Sequence, residues 1–598
     1  MKSLHSMPFG AEHRDGATRF ALWAPGCERV GLELGREAPR AVPMLAAGDG
    51  WHSVTLEAPP GEAYAFRVRD GLVVPDPASR ANPWDVTGPS VVVDPLAFEW
   101  SDGHWKGRPW REAVVYELHV GTFTPEGTFA AAIARLDYLV DLGVTAVELM
   151  PVADFPGRRG WGYDGVLHFA PDAAYGTPES LKRFVDEAHR RGLMVLLDVV
   201  YNHFGPEGNF LSAYAPQFFN PAHQTPWGAA INFDGEGART VRDFFVHNAL
   251  YWLEEFHFDG LRMDAVHAIA DDSPTHIVSE IAEAIAAGPG RERLVHQVLE
   301  NDANQARLLE RGKPHPVAQW NDDAHHAFHV IVTGEEDGYY GDYSDRPAWR
   351  LARTLAEGFG YQGEPSRVRG GEKRGEPCTH LPPEAFVQFL QNHDQVGNRA
   401  FGERLAMLAG EKPLRLATAA LLLAPAVPLL FMGEEFGATT PFLYFCDFHG
   451  ELADAVREGR RREFSAFARF SGAEARARIP DPNDEATFAA SRLDWRSLDE
   501  PAHARWLEHY RGLLRLRLEM IAPRLGEKPA RGTFGTAGAS GVSIDWTLAD
   551  GARLHMRANF GTGTALLVPA AGQPLHVEGE TPREGSVPAW SGIWTLEA

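Results

Sequence analysis

Four short segments carry polar and charged residues directly after an apolar run, where a purely structural strand needs none. They are Val195-Leu196-Leu197-Asp198-Val199-Val200-Tyr201-Asn202-His203, Gly260-Leu261-Arg262-Met263-Asp264-Ala265-Val266-His267, Val298-Leu299-Glu300-Asn301-Asp302 and Phe389-Leu390-Gln391-Asn392-His393-Asp394. Carboxylates held at different charges can divide acid, base and nucleophilic work between them. One Asp at a strand end is ordinarily a helix cap or half of a salt bridge. Four such clusters in order are not explained that way, and Asp264, Glu300 and Asp394 are the carboxylates singled out here.

The surrounding chain supplies elements that could bring these ends together. From about residue 112, apolar strands (113–120, 146–150, 193–200, 260–263, 294–299) alternate with helical spacing (129–142, 178–191, 239–256, 275–287). Such alternation implies parallel βαβ units, and over more than 300 residues it favours a (β/α)₈ TIM barrel, an α/β fold. Residues 386–391 and 428–432 supply late strands. The stretch from Trp320 to about Pro383 breaks the rhythm and reads as an inserted excursion. In a parallel barrel the C-terminal strand ends converge on one face, where active sites form.

Short strands with turns fill residues 1–105 (18–23, 30–34 and 64–68), which predicts an N-terminal immunoglobulin-like β-sandwich of the kind seen in carbohydrate-binding modules. Residues 106–525 then form the catalytic barrel, and 526–598 return to strands as a C-terminal β-sandwich domain. The apolar run from Leu416 to Met432 is broken by Pro425 and Pro428, so a buried helix followed by a buried strand is expected there.

A net charge of −24 argues against nucleic acid or an anionic membrane as the main partner. Cys27, Cys378 and Cys446 lie far apart, without disulfide or zinc spacing, which fits a reducing cytoplasm. The N-terminal residues show no apolar signal run, and the expected location is cytoplasmic. The 16 Trp suit both sugar stacking and ordinary cores.

The four polar segments resemble the signature regions of the α-amylase superfamily (glycoside hydrolase family 13), over about residues 75–440. The resemblance implies Asp264 as nucleophile, Glu300 as general acid/base and Asp394 as the carboxylate that holds sugar hydroxyls. The physics agrees. Arg262 lies two residues before Asp264, on the same side of a strand, and can keep it ionised. Glu300 must instead rest protonated, which needs burial and nearby carboxylates. His203 and His393 resemble the family histidines that hold the glucose being cleaved, as neutral imidazoles. Tyr163 and Asp164, in Trp161-Gly162-Tyr163-Asp164, fit a sugar platform, with Trp161 either part of it or a loop anchor; Arg262 and His267 complete this side. The family often binds calcium through the residue matching Asn202. No dense acidic loop accompanies it here, so no metal and no cofactor are expected, and Asp198 and Asn202 are read as scaffold.

Two more stretches, Phe431–Phe445 with Arg457–Phe464 and Trp320–His326 with Thr333-Gly334 and Tyr339-Tyr340, resemble the malto-oligosyltrehalose trehalohydrolase family. That resemblance implies maltooligosyl trehalose and related α-1,4-glucans as substrates. It puts Trp320, Asp322, Asp323 and His325 on the leaving-group side. The bland alternative for Asn321-Asp322-Asp323 is a helix cap, and for Arg457–Arg462 a solvated helix face. Glycogen branching is the rival activity. A catalytically silent glucan-binding protein would lack a carboxylate, and all three are present.

Overall fold

The computed structural model describes residues 2–312, 314–466, 472–526 and 530–598. Its centre is a closed barrel of eight strands: β1 Val115–Leu118, β2 Ala146–Leu149, β3 Met194–Val199, β4 Gly260–Met263, β5 His296–Leu299, β6 Ala318–Trp320, β7 Phe386–Phe389 and β8 Val427–Phe431. Every neighbouring pair is parallel, and β8 closes onto β1.

Alternation along the strands sorts the barrel interior into layers. Val115, Met194, Leu196, Val298, Ala318, Trp320, Val387, Phe389, Val427 and Leu429 form an apolar cluster, with Trp110 beneath. The Trp110 indole N–H donates to the Glu384 carbonyl at 2.9 Å. Two residues further along their strands, Val115 and Leu196 give way to Glu117 and Asp198, both buried. Apolar packing below thus carries charge above.

One expectation is corrected by β6. The stretch from Trp320 does not leave the barrel rhythm: Trp320 ends a three-residue strand, and the helices Asp322–Thr333 and Pro347–Glu357 follow it. Three residues are too few to show a period, which hid the strand from the sequence. The expected helix–strand pair in the apolar run is present as Glu411–Leu422 and β8.

Before the barrel, four strands pair in one sheet (Gly10–Arg14, Ala17–Trp23, Trp51–Leu56, Leu45–Gly48). Gly31–Leu34, Ala63–Arg67 and their neighbours form a second. This pair of sheets packs on the helix Ala238–Glu254: Phe9 meets Phe244 edge-on at 5.2 Å, and His5 Nδ1 reaches Glu254 at 2.8 Å. After the barrel, a five-stranded antiparallel sheet with a two-stranded ribbon covers the helix Pro347–Glu357, and the Trp546 indole donates to the Leu355 carbonyl. The three cysteines are free, and no helix among the described residues is long and apolar enough to cross a membrane.

Candidate active site

Arg262 stands on β4 with no solvent exposure, and charge gathers around it because a buried guanidinium needs partners. Its Nη1 donates to Asp198 Oδ2 on β3 at 2.7 Å and to Asp264 Oδ1 at 2.9 Å. Its Nη2 lies 3.0 Å from Glu300 Oε2. The guanidinium lies 4.0 Å over the Trp320 ring. Strand ends far apart in sequence therefore share one cation.

Asp264 is oriented from its other side by Asn202, whose amide donates to Oδ2 at 2.8 Å and to the Asp264 carbonyl at 3.2 Å. Directly after it, Ala265 takes a left-handed backbone (φ 39°), costly for a residue with a Cβ. The Ala265 N–H donates to Glu300 Oε2 at 2.8 Å, so the strained turn after β4 fixes the carboxyl after β5. Burial pushes Glu300 well above the usual carboxylate range; Asp264, Asp394 and Asp322 add to the rise, and Arg262 opposes it. That is the state expected of an acid catalyst.

Asp394 lies in the first turn of the short helix His393–Gly397, which is closed by a capping box between Asn392 and Gln395. Burial alone would raise Asp394, but His393, Arg262 and the Asn398 amide hold it below its ordinary value. His393 differs from the expectation of a neutral ring. Its Nδ1 faces Glu117 Oε1, and its Nε2 lies 2.8 Å from the Tyr163 hydroxyl. That hydroxyl donates its single hydrogen to Asp198 at 2.6 Å, so it must accept from Nε2. Both ring nitrogens then carry hydrogens. Burial pulls the imidazole down, but Asp394 and Glu117 outweigh it and push His393 well above its ordinary value.

At His203 the two signals oppose each other. Burial lowers it against the pull of Asp264, yet both ring nitrogens face acceptors, Asn202 Oδ1 and the Tyr163 carbonyl, and a neutral ring can donate to only one of them. Its ring stacks on Trp227 at 4.5 Å, almost parallel. Burial lifts Asp164 to about 6. Trp161 is a loop anchor: it is 5% exposed, donates to the Leu443 carbonyl and packs edge-on against His393. Gly397 must be glycine for this packing, because a Cβ there would sit 2.0 Å from the indole. The Asn202 side chain is not free for a calcium ion, since its oxygen is turned to His203 and its nitrogen to Asp264; Asp198 accepts from Arg262 and Tyr163 on Oδ2.

A cleft of about 300 Å³ brings together Glu300, Asp322 and Asp394 with Asp302, Tyr339 and Arg369. Burial lifts Asp322 to about 7 against the pull of Arg374. Arg369 pairs with Asp302 Oδ2 at 2.6 Å, and His267 Nε2 lies 3.6 Å from Asp302 Oδ1. Three expected contacts fall elsewhere. Trp320 is 1% exposed and lies under Arg262 as a floor. Asp323 has no exposure; it accepts from Asn304, from the Gly360 and Tyr361 amides and from Tyr343, and pairs with Arg374. His325 is spent on the Leu390 carbonyl at 2.6 Å and the Tyr340 hydroxyl at 3.1 Å. Nor is the Asn321-Asp322-Asp323 run a cap: the Asn321 side chain donates to the Gly358 carbonyl instead of receiving the helix N–H.

Arg369 and Trp227 escaped the sequence reading, because they lie in segments with no period to mark them, and Tyr339 entered it only within a family resemblance. The Arg457–Arg462 run, expected as a solvated helix face, departs from that at one position: the helix Gly450–Glu463 is mostly solvated, but Arg460 is buried and donates to the Gly397 carbonyl at 2.8 Å, bracing the turn after Asp394.

Comparison with known proteins fits this geometry. A model of the α-amylase catalytic domain matches residues 93–227, and one of a domain of unknown function (DUF3459) matches residues 529–594. A crystal structure from Salmonella typhimurium, provisionally described as an alpha amylase, superposes with a TM-score of 0.93 and 47% identity over 99% of both chains. A 1,4-alpha-glucan branching enzyme GlgB of Nitrosomonas europaea is 34% identical over only 42% of this chain and 38% of its own. The malto-oligosyltrehalose trehalohydrolase of Deinococcus radiodurans is 45% identical over 84% of this chain and 81% of its own length. On that similarity the chain belongs to the malto-oligosyltrehalose trehalohydrolase family.

Proposed function

We propose that this chain is a retaining glycosidase that cleaves the α-1,4-glucosidic bond next to the terminal trehalose unit of maltooligosyl trehalose, releasing trehalose and a maltooligosaccharide. The observation that carries it is family membership over most of the chain, joined to a site in which one guanidinium reaches two carboxylates held for different tasks. A bridge that short supports the close spacing of a retaining pair (about 5–5.5 Å) over the wider inverting one.

In the proposed sequence, Asp264 attacks the anomeric carbon while Glu300 gives its proton to the departing glycosidic oxygen. Trehalose leaves, and a glucosyl ester on Asp264 remains. Glu300, now ionised, takes a proton from water, which attacks the same carbon and frees Asp264. Asp394 and the cationic His393 hold sugar hydroxyls, assisted by Tyr163 and His203. Asp322, Asp302 and Arg369 line the side from which trehalose departs. The proposed location is the cytoplasm, whose reducing conditions fit three free cysteines.

The test is an assay on synthetic maltooligosyl trehalose. Free trehalose with little transfer supports the reading. New α-1,6 branches on amylose and no trehalose would replace it with glycogen branching.

A further inference from the structure

A second cavity, about 530 Å³, opens away from the cleft. Asp102 and Trp105 come from the chain ahead of β1, Glu254 and His257 from the segment ahead of β4, and Arg291 and Glu292 from the segment ahead of β5. Each precedes its strand, so the cavity lies on the N-terminal face of the barrel, opposite the proposed catalytic carboxylates.

The wall is built rather than incidental. Asp102 has 3% side-chain exposure; its Oδ2 meets His189 Nδ1 and His257 Nδ1, both at 2.8 Å. Its Oδ1 is buried and finds no partner among the described residues, a costly state for a carboxylate oxygen. His257 is held in a left-handed backbone (φ 58°) and stacks on Trp100 at 3.8 Å. Trp105 stacks on His189 at 4.8 Å and donates its N–H to Asp259. These side chains are fixed before any ligand arrives, which lowers the entropic cost of binding.

The chemistry of the lining selects the ligand. Glu254, Glu292 and Asp102 carry negative charge, Lys106, Arg291 and Arg293 carry positive charge, and Trp105 offers an aromatic ring. Balanced charge disfavours an ion. Hydroxyls that both give and accept hydrogen bonds, on a body with an apolar face, suit it better. The volume is within the ~300–1,000 Å³ of small-molecule sites. We propose that this cavity is a second carbohydrate site, taking a neutral saccharide of one or two glucosyl units, with hydroxyls meeting Glu254, Glu292 and Arg291 and a ring face against Trp105. Only the choice of sugar rests on the functional reading above.

Calorimetric titration of the full-length chain with maltose tests it, with two binding sites expected. Trp105→Leu removes the aromatic wall, and Glu292→Ala removes an exposed rim acceptor without touching the core. Either change should weaken one of the two sites at least tenfold and leave trehalose release at the wild-type rate. A single site in the wild type, or two unaltered sites in both variants, overturns the proposal, as does maltose displaced from this site by calcium chloride. The readout is stoichiometry, so failure here leaves the proposed reaction standing, and failure of trehalose release leaves this site standing.

Discussion

Glu300 accepts the Ala265 amide N–H on Oε2, the same oxygen that faces Arg262 Nη2. With a hydrogen-bond donor and a cation both at Oε2, a protonated Glu300 carries its proton on Oε1. The carboxyl is thus neutral yet oriented, as a general acid must be.

Glu300→Gln keeps the shape and an oxygen for Ala265, so the variant should fold with an unchanged melting temperature. Loss of acid catalysis should lower kcat by about 10²–10⁴-fold. Near-normal turnover would move the acid to Asp302 or Glu292. Both fit less well, since Asp302 is paired with Arg369 and Glu292 lies ahead of β5, on the opposite barrel face.

The pH profile should respond to Asp322. On the proposed roles turnover needs a protonated Glu300, so rate falls as pH rises through its raised pKa. Burial is the main cause of that rise, and Asp322 is one of the negative charges that add to it. Asp322→Asn removes a negative charge, makes Glu300 more acidic and moves the alkaline limb of kcat to lower pH. An unmoved limb would show that the two groups do not communicate.

Asp323 and Arg369 separate scaffold from substrate contact. Breaking the buried Asp323–Arg374 pair with Asp323→Ala should destabilise the fold by about 3–5 kcal/mol. Arg369→Ala, in a half-exposed position on the cleft, should leave the melting temperature near wild type and lower kcat/KM for maltooligosyl trehalose. Equal stability losses in both variants would make Arg369 structural.

That contrast also shows what the sequence could carry. Arg262 and Asp264 were legible because alternation along one strand puts them on the same side. Asp322 and Asp323 were not separable: adjacent helix positions point in different directions, and only the docked helix decides which one meets the cleft. The placement of Trp320 turned on a three-residue strand. The charge of His393 turned on Tyr163, 230 residues away, having a single hydrogen to give. Arg369 belongs to irregular chain that tertiary contacts alone bring to the site.

Glu434 and Glu435, in the turn after β8, give the last prediction. Both are buried. Glu434 accepts from Tyr510, and Glu435 from Tyr116 and Tyr138. Burial, only partly opposed by these hydrogen bonds, lifts Glu434 to about 8 and Glu435 to about 7. In the folded chain they hold protons that the unfolded chain releases above the ordinary carboxylate range. The unfolded state then binds fewer protons, so this pair makes stability fall as pH rises from about 4.5 toward 8. Replacing both by Gln keeps acceptors for the tyrosines and removes the titration. Urea midpoints at pH 5 and pH 8.5 should differ less in the double variant than in the wild type. An equal or larger difference would mean that the pair is ionised in the fold.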